Sequence, residues 1–406
     1  MRCGLLGRTL EHSYSPAIHK LLGEYSYDLF SREPEDVEGF VKLGPWDGCN
    51  VTIPYKKEVV QYCTELSPLA KELGSVNTLL RRPDGTIYGD NTDAYGFEAM
   101  AKRLGVDYAG KKALVFGSGG ASVTVQAVLR HLGCQVIVVS RTGQVTYEDL
   151  PRHADARVLV NTTPVGMYPK NGKSVVDLEQ FPHVEAVLDV VYNPARTKLI
   201  LDAQARNIPC LSGLYMLVAQ AARSSELWTG TSVPRAQLDA IHKAIGQDMQ
   251  NIVLIGMPGC GKSSVGFFLA RELGRWLVDA DQELEKHIGM TIPQYMQDHT
   301  EDDFRRLETQ VLEALGKHSG LVIATGGGCV TRPENYPLLH QNSTIVWLQR
   351  ELHNLPTHGR PISQRDGVEA LYKKRKPLYE AFCDMRAENI GSAEETAQTI
   401  YEMLKK

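Results

Sequence analysis

The chain has 406 residues, 43% of them hydrophobic and 23% charged, enough for two or three globular domains with their own buried cores. Its net charge of −4 argues against a broad basic surface for nucleic acid, and no run approaches the roughly 18 apolar residues of a membrane span. The eight cysteines form no Cys-x-x-Cys pair and no zinc-type cluster, so they read as reduced, mostly buried thiols, and what remains is a soluble cytosolic α/β protein.

The apolar start from Met1 to Gly7 is too brief for a signal peptide. β-rich runs alternate with helical patterns along the whole chain, which favours parallel sheets covered by helices. Asn50-Val51-Thr52-Ile53-Pro54 predicts a strand ended by proline. Lys112–Phe116 predicts a strand, followed by glycines, a helix to Leu132 and a strand over Gln135–Val139, which is a βαβ start. Val158–Val160 and Val187–Val191 predict later strands of that sheet. Helices are expected over Leu214–Trp228 and about Pro234–Ile245. A fresh strand over Asn251–Ile255 then leads into a second glycine-rich loop, so the main boundary falls at about 247–250, with no Gly/Ser-rich tether.

Gly256-Met257-Pro258-Gly259-Cys260-Gly261-Lys262-Ser263 fulfils the P-loop pattern completely, and a chain of this length would contain it by chance only about 0.02 times. Its backbone N–H groups would wrap around phosphates at a helix start, with Gly259, Cys260, Gly261, Lys262, Ser263 and Ser264 as the ATP-binding candidates. Lys262 would reach the β/γ-phosphates and Ser263 would ligate Mg2+. The loop Gly117-Ser118-Gly119-Gly120-Ala121-Ser122 also joins a strand to a helix, but has serine at the third fingerprint position. Gly117, Gly119, Gly120 and Ala121 are the dinucleotide candidates. At the end of the next strand, where an acid would bind the ribose 2′-hydroxyl of NAD, the chain reads Ser140-Arg141-Thr142. Arginine and two hydroxyls attract a 2′-phosphate, which favours NADP(H).

The flanking motifs carry a family resemblance. Residues 1 to about 246 resemble shikimate dehydrogenase through His12-Ser13-Tyr14-Ser15-Pro16, Asn50 to Lys56, Val76-Asn77-Thr78, Asn91-Thr92-Asp93 and Met216 to Ala221. The resemblance implies a substrate-binding domain over 1–95, completed by helices at about 226–246, and a Rossmann NADP-binding domain over 96–225. It further implies Lys56 as proton donor with Asp93 as its partner. Ser13 and Ser15 would hold the substrate carboxylate, while Thr52, Asn77, Gln220, Tyr192 and Asp93 would meet the rest of the ring and Gly213 the cofactor. Ketone reduction needs such a donor within hydrogen-bond reach of the developing alkoxide.

Residues 250–406 resemble shikimate kinase, a P-loop domain with a parallel sheet. The motifs are Asp279-Ala280-Asp281, Phe304 to Glu308, Gly326-Gly327-Gly328 and Arg375 to Tyr379. By resemblance Asp281 binds substrate hydroxyls and accepts a proton, Asp279 acts near Mg2+, and Arg305 and Arg375 clamp a carboxylate. Gly327 and Gly328 would approach the ring, and Arg360 is the lid arginine.

Two stretches depart from these patterns. Gly143–Arg157 lacks about one helix length, and Arg350–Gly359 is short and has no evident adenine-packing arginine. Thr300 stands where glycine is frequent. The sequence therefore reads as a two-activity enzyme, reducing 3-dehydroshikimate with NADPH and phosphorylating shikimate with ATP. A ligand sensor is the competing class, and intact Lys56, Asp93, Lys262 and Asp281 argue against it. A catabolic quinate/shikimate dehydrogenase using NAD is opposed by Arg141, and a kinase for another small polyol by Arg305 and Arg375, which imply a carboxylate.

Overall fold

Cys3-Gly4-Leu5-Leu6, a run without charge, is buried within the first sheet. The computed structural model describes residues 1–10, 13–356 and 361–405. Two units emerge: Met1–Gly166 with Lys173–Tyr192 and Asp202–Gly246, and Gln247–Lys406 with Met167–Gly172 and Asn193–Leu201.

In the first unit, β1 (Arg2–Gly7), β2 (Ser26–Ser31), β3 (Gly48–Val51), β4 (Glu65–Leu66), β5 (Thr78–Arg81) and β6 (Ile87–Asp90) make a sheet of order β2-β1-β3-β5-β6-β4. This sheet departs from the all-parallel expectation, because β5 pairs antiparallel with both β3 and β6. The cause is local. In the Pro83-Asp84-Gly85 turn, Asp84 Oδ1 accepts from the Thr86 amide and hydroxyl, and Gly85 takes φ +83°, so the chain reverses within a hairpin. The expected strand around Asn50 ends at Val51, before the proline.

The second sheet, of β7 (Lys112–Phe116), β8 (Gln135–Val139), β9 (Val158–Asn161), β10 (Ala186–Asp189) and β11 (Cys210–Ser212), is wholly parallel in the order β11-β10-β9-β7-β8. The chain reverses its direction of winding at β7, and the crevice beyond the carboxyl ends of such strands is where ligands bind. Helix Thr92–Arg103 crosses helix Leu214–Thr229 so closely that a Cβ on Gly96 would lie 2.5 Å from Met216 O. Gly143–Arg157, a helix short of the resembled pattern, forms one 3-10 stretch, Tyr147–His153.

The second unit holds β12 (Asn251–Ile255), β13 (Trp276–Asp279), β14 (Leu321–Ala324), β15 (Ser343–Gln349) and β16 (Met385–Glu388), all parallel, in the order β13-β14-β12-β15-β16. Central β12 is buried along its whole length, as an interior parallel strand must be. The two short stretches belonging to this unit are tied into it. The Tyr168 hydroxyl donates to Gly316 O at 2.7 Å, and the Arg196 guanidinium donates to His340 O and Ser343 O at 2.9 and 2.6 Å.

Candidate active sites

Lys56 follows β3 by one turn, and Asp93 lies in the first turn of helix Thr92–Arg103. The Lys56 ammonium donates to Asp93 Oδ2 at 2.6 Å, and Asn77 Nδ2 donates to Asp93 Oδ1 at 2.9 Å. Both carboxylate oxygens thus have a donor. Gln220, on helix Leu214–Thr229, brings its Oε1 to 3.5 Å from Asn77 Nδ2. Thr52 is half-buried where its backbone joins Leu6 O at the end of β1. Ser13 Oγ accepts from the Ser15 amide at 3.2 Å at the start of helix Ser15–Leu22, and Ser15 is buried beside the Tyr27 hydroxyl. Tyr192 meets Tyr14 edge-on, with ring centroids 6.2 Å apart, and burial raises the pKa of its phenol.

The dinucleotide-type loop follows β7. Gly117 has φ +111° and could not carry a Cβ without striking Thr162 and Thr163, so glycine is required there by the protein itself. Gly119 and Gly120 meet nothing within 4 Å, and with Ala121 they are exposed at the start of helix Gly120–His131. The departure at Ser122 has a clear use: its hydroxyl donates to Gly117 O at 2.6 Å and pins the loop. After β8, Ser140 is buried, its amide bonded to Val145 O, which leaves Arg141 and Thr142 exposed. Gly213 is buried after β11, where a Cβ would run into Val190 O.

In the second unit the P-loop follows β12, with Gly256, Gly259 and Gly261 all at positive φ. Asn389 Nδ2 donates to Cys260 O at 2.7 Å and fills the space beside Gly261, holding the loop from outside. Lys262 is buried and donates to Gly256 O and Met257 O, both at 3.0 Å, so its ammonium lies along the inside of the loop. Ser263 Oγ donates to Asp279 Oδ2 at 2.5 Å, while Ser264 is exposed. A hydroxyl and a carboxylate side by side are the hard oxygen donors that Mg2+ takes beside nucleotide phosphates.

These groups line one cleft of about 560 Å3 that also holds Asp281, Arg305, Glu308, Gly326 to Gly328 and Arg375. Asp279 caps helix Ala280–Ile288 by accepting from the amides of Asp281 and Gln282, which leaves the Asp281 carboxylate for the cleft. Burial, reinforced by the charge of Glu308, pushes the Asp281 carboxyl up to about 6, against the opposing pull of Lys262. Arg305 pairs with Glu308 at 2.7 Å, one turn along helix Glu301–Gly316. Arg305 Nε, Glu308 Oε1 and Arg375 Nε are buried with no partner among the described residues. Buried polar groups of this kind are rare and point to a polar ligand.

The glycine triplet is demanded first by the protein. Side chains at 326, 327 and 328 would meet Glu308 and Asp281, Pro258, and Arg305 respectively. Gly327 O accepts from the Tyr379 hydroxyl at 2.5 Å and from Arg375 at 3.2 Å. Arg350, from the shortened stretch, lines the same cleft. Arg360 lies outside the described residues. Sequence reasoning placed Glu308 in a motif but gave it no task, although its spacing of three from Arg305 on a helix was a signal, and it missed Asn389, for which the motifs offered none.

Three family models match the chain: shikimate dehydrogenase substrate binding domain over residues 5–79, shikimate 5'-dehydrogenase C-terminal domain over 213–244, and shikimate kinase over 258–405. The shikimate dehydrogenase (NADP(+)) of Clostridium perfringens is 35% identical over 268 residues, spanning 60% of this chain and 97% of that protein. Among solved structures, a chorismate mutase/shikimate 5-dehydrogenase fusion protein from Clostridium acetobutylicum is 35% identical, with a TM-score of 0.57 over 60% of this chain and 96% of its own. Shikimate 5-dehydrogenase from Thermus thermophilus, in complex with NADP(H) and shikimate, is 33% identical, with a TM-score of 0.55 over 60% and 99%.

Proposed function

The chain belongs to the shikimate dehydrogenase family and carries a shikimate kinase domain behind it, and we propose that its halves catalyse successive reactions on one compound. The first is reduction of 3-dehydroshikimate to shikimate with NADPH, and the second is phosphorylation of the shikimate 3-hydroxyl with ATP. The observation that carries this reading is the presence, in one chain, of the partnered Lys56–Asp93 pair and of a P-loop cleft containing Asp281, Arg305 and Arg375.

In the dehydrogenase reaction the bound NADPH supplies the hydride. Lys56 gives its proton to the carbonyl oxygen as negative charge develops there, and Asp93 holds the ammonium in place. Asn77, Gln220 and Thr52 bind ring hydroxyls, Ser13 and Ser15 the carboxylate, and Tyr192 also meets the substrate. Gly117, Gly119, Gly120, Ala121 and Gly213 give the cofactor backbone access, and Arg141, with Ser140 and Thr142, binds its 2′-phosphate. The open space over Gly119 and Gly120 and the exposure of Arg141 fit that cofactor.

In the kinase reaction ATP with Mg2+ supplies the phosphoryl group. The P-loop amides and Lys262 hold the phosphates, and Ser263 with Asp279 holds the metal. Asp281 accepts the proton of the attacking hydroxyl. Arg305 and Arg375 bind the carboxylate through guanidinium forks suited to that shape, and Gly327 and Gly328 approach the ring. Arg360 is the lid arginine of this reading. The enzyme works in the cytosol, a placement supported by eight free cysteines. Among the described residues no helix is long and apolar enough to cross a membrane.

Two separate assays test the assignment: loss of NADPH absorbance on adding 3-dehydroshikimate, and ADP release from MgATP on adding shikimate. Signal in both supports it. NADPH oxidation without ADP release would make the second unit a binding module.

A further inference from the structure

Behind the Lys56–Asp93 pair lies a buried set of hydroxyls and amides drawn from four separate stretches of the chain. Helix Leu214–Thr229 directs Gln220, Ser224 and Trp228, spaced four apart on one face, at the first sheet. Trp228 fixes the helix by donating from Nε1 to Leu79 O at 3.0 Å. Ser224 is wholly buried. Its Oγ lies 2.8 Å from Asn50 Nδ2, 2.7 Å from Thr78 Oγ1, 3.1 Å from Thr92 Oγ1 and 3.0 Å from Gln220 O.

Counting hydrogens restricts how these groups can point. Gln220 O only accepts, so it takes the Ser224 proton, and Ser224 in turn accepts from Asn50 and Thr78. Thr78 and Thr92 stand 3.1 Å apart. With the Thr78 proton directed at Ser224, the Thr92 hydroxyl reaches Asn77 Oδ1 at 3.2 Å and Gln220 Oε1 at 3.4 Å, while the Thr92 amide donates to Asn77 Oδ1 at 2.7 Å. Asn77 Oδ1 thus faces the Thr92 amide, with the Thr92 and Thr78 hydroxyls at 3.2 and 3.3 Å, and its NH2 group faces Asp93 Oδ1 and Gln220 Oε1. Asp93 then has Oδ2 free for Lys56. The far end of the set is equally fixed: Tyr27 donates to Asn50 Oδ1 at 2.8 Å, and its ring stacks on His19 at 4.0 Å.

We propose that Ser224, Thr78 and Thr92 form a hydroxyl triangle that positions the Asn77 carboxamide and, through it, aims Asp93 at Lys56. None of the three side chains bonds to the ion pair; they act as positioning residues. The inference rests on the dehydrogenase reading above and extends it to Thr78 and Thr92, the sequence neighbours of Asn77 and Asp93, and to Ser224, more than a hundred residues away.

The test is steady-state dehydrogenase kinetics of Thr92→Val, Thr92→Ser and Ser224→Ala in the full chain, with thermal unfolding of each preparation as the measure of folded protein and kinase turnover as the measure of enzyme concentration. Thr92→Val keeps shape and the backbone amide but removes the hydroxyl. It should lower kcat about tenfold, the scale of one lost hydrogen bond, with KM for NADPH within about twofold. Thr92→Ser should restore kcat, and Ser224→Ala should show the same selective fall, smaller in size. Wild-type kcat in Thr92→Val and Ser224→Ala overturns the proposal, as does a fall that Thr92→Ser fails to rescue. If Thr92→Val does not fold, Ser224→Ala decides. A wild-type chain without dehydrogenase turnover would instead overturn the underlying reading.

Discussion

Lys56 and Asp93 pair with 29% and 21% of their side chains exposed, whereas Arg305 and Glu308 pair at 7% and 2%. In the first unit each oxygen of the carboxylate has a donor before any substrate arrives. In the second, Nε of Arg305 and of Arg375 lacks an acceptor and Glu308 Oε1 lacks a donor among the described residues, and Asp281 is pushed up to about 6. The contrast matches the two chemistries. A proton donor must be held in one place, so internal partners are an advantage. A cleft that binds a carboxylate and a nucleotide keeps unpaired donors, whose desolvation cost the ligand relieves.

The widest separation between the sites comes from removing one lysine at a time. Lys56→Ala should lower dehydrogenase turnover by about 10²- to 10⁴-fold, the usual contribution of a positioned acid, and leave phosphorylation of added shikimate unchanged. Lys262→Ala should do the reverse. A joint loss in either variant, measured in the two separate assays, would break the comparison.

Next in size is the cofactor contact. Arg141→Ala should raise KM for NADPH about ten- to hundredfold, as for loss of a charge-assisted bond, and scarcely change that for NADH. Equal changes would remove the 2′-phosphate from its exposed side chain.

The kinase cleft also predicts a pH dependence. In the proposed reading Asp281 accepts a proton and so must be ionised, and its carboxyl is raised by burial and by Glu308. Kinase kcat/KM should therefore rise as pH increases through about 6, and Glu308→Gln should move that acid limb downward by removing the neighbouring negative charge. A limb unmoved in Glu308→Gln would dissociate Asp281 from the observed titration.

The smallest effect is expected at Thr300. It caps helix Glu301–Gly316, accepting from the Asp303 amide, with Asp303 bonding back. Thr300→Gly should cost only a few tenths of a kcal/mol, read by thermal unfolding, with kinase rate unchanged.

The two sites were legible in the sequence to different depths. Both glycine loops lie within short contiguous motifs, so their strand–loop–helix setting could be read directly. Lys56, Asn77 and Asp93 came from motifs whose joint order carried the resemblance. Asn50, Thr78 and Thr92 sat inside those motifs without a visible task, because their partner Ser224 is more than a hundred residues away. Hydroxyls and amides carry no spacing rule that announces a distant partner. Glu308 was closer to recognition, being one helical turn from Arg305. The hairpin that turns β5 against β6 was written in Pro83-Asp84-Gly85, a turn signal outweighed by the general alternation of strands and helices.

The most direct measurement is a single incubation of the purified chain with 3-dehydroshikimate, NADPH and MgATP, followed by mass spectrometry, run in parallel on Lys56→Ala and Lys262→Ala. Wild type should yield shikimate 3-phosphate, Lys262→Ala should stop at shikimate, and Lys56→Ala should leave 3-dehydroshikimate unconsumed while still phosphorylating added shikimate. Shikimate 3-phosphate from Lys262→Ala, or no phosphorylated product from wild type, would contradict the account of two independent sites in one chain.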